Sequence, residues 1–221
     1  MANIYLHYAL DLWFERIYRR SCLGYARLIR YADDFVVCFQ YKADGERFRE
    51  ELGQRLGKFN LEVEPTKTKV LEFGKFAVLN AKKRGERAET FDFLGLTHYC
   101  GTRRNGTGFR MKRVTARKKY VAKLRIFKEW LKEARILKTM EIWKIVSSKL
   151  RGHFNYYGVT DNYRGLMRFD QAVKKLLFKW LNRRGKRNCL NWEEFNKMLM
   201  RFPLPKPRIV VSMFGLPVNT M

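Results

Sequence analysis

The chain is short of acid. Its 221 residues include 21 Asp or Glu against 47 Lys or Arg, a formal net charge of +26. Such an excess repels itself in the compact state unless a polyanion is bound. Nucleic acid is therefore the first partner class to consider, ahead of an anionic membrane surface. Cysteine is scarce too. Cys22, Cys38, Cys100 and Cys189 are far apart and form no CxxC pair. That spacing argues against a zinc site or a disulfide framework and fits a reducing, cytoplasmic compartment. His7, His98 and His153 are scattered and make no ligand set. No run is long and apolar enough to span a membrane. The opening "ANIYLHYALDLWFERIYRR" lacks the basic-then-apolar pattern of a signal peptide. Core-forming material, in contrast, is plentiful. Hydrophobic residues make up 46% and aromatics 15%, which excludes global disorder. The length suffices for one large domain or two small ones.

Along the chain, Ile4, His7, Tyr8, Asp11, Phe14, Glu15 and Tyr18 recur at spacings of three and four, predicting a helix over 3–19. "RLIRY" and "FVVCF" read as strands joined by the turn chemistry of "ADD". In "ADGERFREELGQRLGKFN", Phe48, Leu52, Leu56 and Phe59 share a helical face, with Asp44 as its cap. "LEVE", "KVLEF" and "TFDFLGLTHY" read as strands, "AKKRGERAE" as a solvated loop, and "RRNGTG" as a turn into the strand "FRMKR". After about residue 114 only helical periods remain. Tyr120, Leu124, Phe127, Leu131 and Ala134 mark one helix. Ile142, Ile145, Val146, Leu150 and Phe154 mark a second, and Leu166, Phe169, Val173, Leu176 and Trp180 a third that stops at Gly185. Together they predict a small bundle. Asn191 and Glu194 stand at capping-box spacing for a last helix, and "FPLPKPRIVV" is expected to run extended. No internal repeat or low-complexity tract interrupts this order.

Against the basic background, "LIRYADDFVVCF" sets Asp33 and Asp34 side by side between apolar strands. Adjacent carboxylates at a rigid strand–turn–strand tip can hold Mg²⁺, which takes one or two carboxylates plus substrate phosphates. Asp also suits hairpin turns on its own account. Consecutive strand residues point opposite ways, so both acids reach one ion only if the turn rotates one of them.

The order of short motifs resembles the reverse transcriptases of group II introns. "ANIYLHYALD" is similar to the helix after that family's dNTP-pocket motif, and "RYADDFVV" to its catalytic turn. "LGKFNLEVEPTKTKVLEF" is similar to the next block, "FDFLGL" to the primer-grip strand, and "LRGHFNYYG" to the thumb, or maturase, signature. The resemblance covers nearly the whole chain. It implies an α+β fold: a partial right-hand polymerase palm, with an antiparallel sheet and helices, over 1–113, and a basic three-helix thumb/maturase bundle over 114–185. A C-terminal helix and extended tail come after it, over 186–221. It implies RNA-directed DNA polymerase activity with Mg²⁺ or Mn²⁺, and a maturase role in folding and splicing the parent intron RNA. The partners implied are intron RNA, an RNA template with its DNA primer, and dNTP.

Carried over by position, Asp33 and Asp34 would be the catalytic and metal-holding acids, flanked by Tyr31 and Ala32. Lys67 and Lys69 would meet the triphosphate or the template–primer backbone. Leu94 and Gly95 would sit at the primer end. Arg117, Lys118, Lys119, Lys123, Arg125, Lys128 and Arg151 would form a phosphate track. Tyr156 and Tyr157 would either stack on RNA bases or pack the bundle. The family's earlier palm strand with its own Asp, the fingers and the Cys-rich nuclease have no counterpart here. Asp11 reads as structural, and Asp92, Asp161 and Asp170 are no substitute. The expectation is a chain corresponding to the C-terminal part of such an enzyme, inactive in polymerisation unless a second chain supplies the rest. The alternative is a non-catalytic RNA-binding module that aids splicing.

Overall fold

A computed structural model describes residues 2–103, 106–183 and 189–213. They form mixed helix and sheet, divided into two compact units: Met1–Leu94 with Tyr99–Arg110, and Gly95–His98 with Met111–Met221.

In the first unit the chain opens with helix α1 (Ala2–Leu6), a π-helical segment (His7–Asp11) and α2 (Leu12–Arg16). The predicted helix is there, and Phe14 and Tyr18 of its predicted face are buried, but His7 and Glu15 of that face are exposed. The core face is Ala9, Leu10, Trp13, Phe14 and Tyr18, while Ile4 and Tyr8 are exposed. A π-turn carries an extra residue and rotates the helix beyond it, so spacing counted on an α-helix misses part of the buried stripe. A π-turn also releases backbone carbonyls from the α-ladder. Arg55 meets two of them, donating from Nε to Ala9 O at 3.0 Å and from Nη2 to Tyr8 O at 3.2 Å.

Strands β1 (Ala26–Tyr31) and β2 (Asp34–Phe39) form an antiparallel hairpin in register Tyr31↔Asp34 to Ala26↔Phe39. One face packs Leu28, Phe35, Val37 and Phe39 onto the core, beside helix α3 (Lys42–Gly57). Phe48, Leu52 and Leu56 of α3 are buried as their spacing predicts, and Phe59 packs against them. The centre is aromatic: Tyr18, Phe39 and Phe48 lie with ring centroids 5.0–6.2 Å apart. Asp44 is not a cap. It sits inside α3, 2% exposed, and its two carboxylate oxygens accept from the backbone N–H groups of Leu23 and Gly24.

Neither "LEVE" nor "KVLEF" pairs as a strand. Both are extended and partly inward: Leu61 and Val63 pack on the core, and Phe73 on Phe91 at 5.1 Å. Apolar alternation reports a half-buried extended chain and cannot supply a ladder partner. The Glu72 N–H is taken by the Glu89 side chain instead. Part of the predicted loop "AKKRGERAE" belongs to helix α4 (Ala77–Lys83), whose Ala77 and Ala81 are buried. Gly85, at φ 75°, ends it in a Schellman motif, with Glu86 N–H on Ala81 O and Gly85 N–H on Lys82 O.

A second sheet runs in the order β3 (Thr90–Phe93), β4 (Leu96–Thr102), β5 (Phe109–Thr115). Of the predicted "RRNGTG" turn, residues 104–105 lie outside the described residues.

In the second unit helices α5 (Arg117–Glu133), α6 (Thr139–Tyr157) and α7 (Tyr163–Leu181) bury the predicted stripes around Phe127, Leu131, Val146, Leu150, Leu166 and Val173, while on α7 Leu177 is buried and the predicted Leu176 only partly so. The predicted stop at Gly185 lies outside the described residues. Helix α8 (Trp192–Arg201) opens with the expected box: Glu194 N–H donates to Asn191 Oδ1 at 2.8 Å, and Asn191 N–H to Glu194 Oε2 at 2.9 Å. The proline-rich segment after it is extended and docked. Trp143 donates its indole N–H to Phe202 O, Leu204 is buried, and Val211 bridges Val159. Among the described residues no helix is long and apolar enough to cross a membrane.

His153 lies in this second core, 4% exposed, its ring stacked on Phe169 at 3.6 Å, and neither ring nitrogen has a hydrogen-bond partner. Burial, with the Lys123 charge adding to it, pushes its pKa down to about 3. A folded pKa below the unfolded value means that the neutral ring favours folding. The stability is whole above about pH 6.5 and falls as the unfolded state takes up a proton, with a slope of up to about 1.4 kcal/mol per pH unit down to about pH 3. Denaturant midpoints from pH 7 to pH 4 should fall more steeply for the native protein than for His153→Leu.

Candidate functional site

The hairpin tip is built by strain and one guanidinium. Ala32 is the first residue of the two-residue turn and has φ 55°, a left-handed conformation uncommon outside glycine. Arg30, on the core-facing side of β1, holds it. Its Nη1 donates to Ala32 O at 2.7 Å, while Nε and Nη2 make a bidentate pair with Asp11 at 2.7 and 2.6 Å. Asp11 also faces His7 at 3.3 Å, and Arg30 reaches the Asn3 side chain. Asp11 is therefore structural, as the sequence suggests: it fixes the guanidinium that fixes the turn. The hydrogen bonds from Arg30 hold the Asp11 carboxyl below the usual carboxylate range against the opposing effect of burial.

This commitment matters for Asp33 and Asp34. Asp33 is the second turn residue. Asp34 begins β2, with its strand neighbour Phe35 facing the core, so Asp34 points to the other face. Both are exposed, and neither carboxylate has a hydrogen bond or ion pair among the described residues. In a chain with 47 Lys and Arg, two adjacent unpaired acids on a constrained turn are hard-oxygen donors left open. Such a pair fits what Mg²⁺ asks of a protein, one or two carboxylates with substrate oxygens completing the shell. Tyr31, opposite Asp34 in the register, is 66% exposed. No group of three or more His, Cys, Asp or Glu able to hold a metal occurs among the described residues.

Lys67 and Lys69 are exposed in the first unit. The turn carrying Lys67 is organised by Glu64, whose carbonyl accepts from the N–H groups of Lys67 and Thr68 and whose carboxylate accepts from Thr66. Leu94 and Gly95 are the two central residues of the β3–β4 turn, at φ 50° and 76°. Positive φ at both marks a type I′ hairpin. A Cβ on Gly95 would stand 3.0 Å from the Tyr157 hydroxyl, so a side chain there would be both strained and crowded.

On α5, Arg117, Lys118, Lys119, Lys123, Arg125 and Lys128 are all exposed, as is Arg151 on α6. Tyr156 is 56% exposed with the Lys123 ammonium 5.6 Å from its ring centre. Tyr157 is 2% exposed, so the bundle uses both of its faces and it has none to offer a base. Sequence reasoning missed Arg30 and Arg55. Their signal was a lone Arg at an inward strand position and another near a core stripe, visible only once a partner is known.

A protein-family model described as "Reverse transcriptase (RNA-dependent DNA polymerase)" matches residues 1–98, somewhat under half of the chain. The matched segment contains the whole hairpin with its two acids. No curated protein matches the chain.

Replacing Arg30 by Ala, or Asp11 by Asn, should cost about 1–2 kcal/mol by denaturant unfolding at pH 7, the pair being only partly buried. Because the Asp11 carboxyl sits low in the fold, its contribution is present above the ordinary carboxylate range and lost as pH falls through it. The gap between native protein and Asp11→Asn should therefore narrow by pH 3.

Proposed function

We propose that the chain is a group II intron-encoded reverse transcriptase and maturase, with residues 1–113 as part of its palm, 114–185 as its thumb/maturase domain and 186–221 as a C-terminal helix and tail. One observation carries the reading. The segment that matches the reverse-transcriptase family includes a strained hairpin whose two acids are the open carboxylates of a very basic chain. The maturase part is supported by the sequence likeness of "LRGHFNYYG" and by the basic faces of α5.

In this reading Asp33 and Asp34 hold Mg²⁺ or Mn²⁺. Bound there, the metal would activate the attacking hydroxyl and stabilise the leaving oxygen. The chain's own residues supply the setting. Arg30 keeps the turn in one conformation, so the acids are presented without reorganisation. Tyr31 and Ala32 border the nucleotide, and Lys67 and Lys69 meet triphosphate or backbone. Leu94 and Gly95 form the turn beside the primer end. The α5 cations, Arg151 and Tyr156 take up RNA. A further acidic ligand is required beside Asp33 and Asp34. The setting is cytoplasmic, with intron RNA, template, primer and dNTP as partners. A second reading, an RNA-binding module without polymerase activity, is favoured by how much of the basic charge lies on exposed helical faces.

Primer extension on an RNA template, with a further palm acid supplied in trans, separates the two. Asp33→Asn should reduce extension by about a hundredfold or more while RNA binding stays within about twofold. Unchanged extension would leave the RNA-binding module as the reading.

RNA affinity should fall steeply with salt. Each of Lys118→Ala, Arg125→Ala and Lys128→Ala should reduce the slope of log affinity against log salt by about 0.7–1. Slopes that do not change would remove the α5 face from the RNA contact.

A further inference from the structure

The second unit holds a groove that shares only Arg151 with the RNA-binding residues proposed above. Met140, Lys144, Ser147 and Arg151 step by four, three and four along α6 and form one wall. The opposite wall is Arg201, at the end of α8, with the first residues of the docked extended segment. Together they enclose about 330 Å³, the lower end of the range for pockets that hold a small organic group. The far wall is anchored, since the Trp143 indole N–H holds the Phe202 carbonyl at 2.8 Å. The groove is thus a feature of the fold and not a gap beside a loose strand.

Its chemistry has one sign. Lys144, Arg151 and Arg201 are exposed, and no carboxylate lines the groove or pairs with them among the described residues. The Arg201 guanidinium lies over the Phe202 ring, 5.4 Å from its centre. A guanidinium resting on an aromatic ring is a flat cationic platform, the kind of surface on which unstacked bases lie. Cations spaced along one helix face beside such a platform match a backbone phosphate beside a base. A duplex buries its bases in the stack and cannot place one in a groove of this size.

We propose that this groove binds one unpaired nucleotide of a single-stranded RNA segment, the base on the Arg201–Phe202 platform and the flanking phosphates on Lys144 and Arg151. The Ser147 hydroxyl on the same wall is a hydrogen-bond partner for the sugar or the base edge. This gives the chain a preference for looped or frayed RNA that the α5 face, a row of point charges, does not have. The groove stands on its own chemistry and does not rest on polymerase activity.

The test uses the full chain and fluorescence anisotropy, with a single-stranded RNA oligonucleotide and a blunt RNA duplex of the same length as probes. The combined variant Lys144→Ala, Arg151→Ala and Arg201→Gln should weaken single-strand binding by about tenfold or more and duplex binding much less. The α5 variants Lys118→Ala and Arg125→Ala should weaken both alike. Equal losses on the two probes for the groove variant, or no loss, overturn the proposal. Thermal unfolding verifies that the exposed substitutions leave the fold intact. Photocrosslinking of the native protein to 4-thiouridine-labelled single-stranded RNA is a measurement free of that concern. Labelled peptides containing Trp143 or Phe202 are expected, and labels confined to α5 overturn the groove. Primer extension by Asp33→Asn is scored separately, so the polymerase reading and the groove stand or fall independently.

Discussion

The contact on which the first unit's chemistry depends is the Arg30 guanidinium, spread between Asp11 on the opening helix and the carbonyl of Ala32 at the hairpin tip. It solves two problems at once. The tip needs a non-glycine residue in the left-handed region, a conformation that persists only where the surroundings over-determine it. The tip's acids must also stay unpaired in a chain whose cations outnumber its acids. Arg30 holds the turn by its carbonyl and is itself neutralised by Asp11, so the nearest cation on the hairpin is already engaged. A lysine could not replace it, because the three contacts use the guanidinium fork. The π-segment belongs to the same arrangement: it contains Asp11, and Arg55 takes up its carbonyls.

The second unit separates stability from charge by helix face. Its core is apolar and aromatic, and most of its cations, the buried Arg113 excepted, lie outside it, with Lys123 resting against Tyr156 and Tyr157. Burial beside those rings lowers the Lys123 ammonium, and the same enclosure keeps His153 neutral. Two tryptophans work in the same way: Arg135 and Arg183 lie over Trp180, and Lys149 over Trp130. These contacts let long basic side chains cover apolar surface while their heads remain available to phosphate. Most of the excess charge is thereby kept at the surface.

Legibility in the sequence tracked the kind of interaction involved. The buried stripes of α3, α5, α6 and α7 were readable because helical burial depends on spacing alone. The Asn191–Glu194 box was readable because a cap is local. The hairpin bearing Asp33 and Asp34 was readable because its turn and its strands are adjacent in sequence. "LEVE" and "KVLEF" were misread because a strand is defined by a partner that no local pattern names. Asp44 was misread as a cap because the N–H groups it serves, those of Leu23 and Gly24, lie some twenty residues away. The face of the opening helix was read correctly at Phe14 and Tyr18 but not at Ile4 and Tyr8, because one π-turn breaks the period on which the count depends.

By itself, then, the sequence determined the basic excess, the helical stripes and the presence of two adjacent acids at a turn, since each is a matter of composition or short spacing. Tertiary structure alone decided what those acids are free to do. It sent Arg30 to Asp11 and the turn carbonyl, leaving Asp33 and Asp34 open. It buried Tyr157 while exposing Tyr156, and it brought the end of α8 against α6 to close a cationic groove. Each outcome depends on which distant residues meet, and side-chain pairing across a fold is fixed by packing that no local window contains.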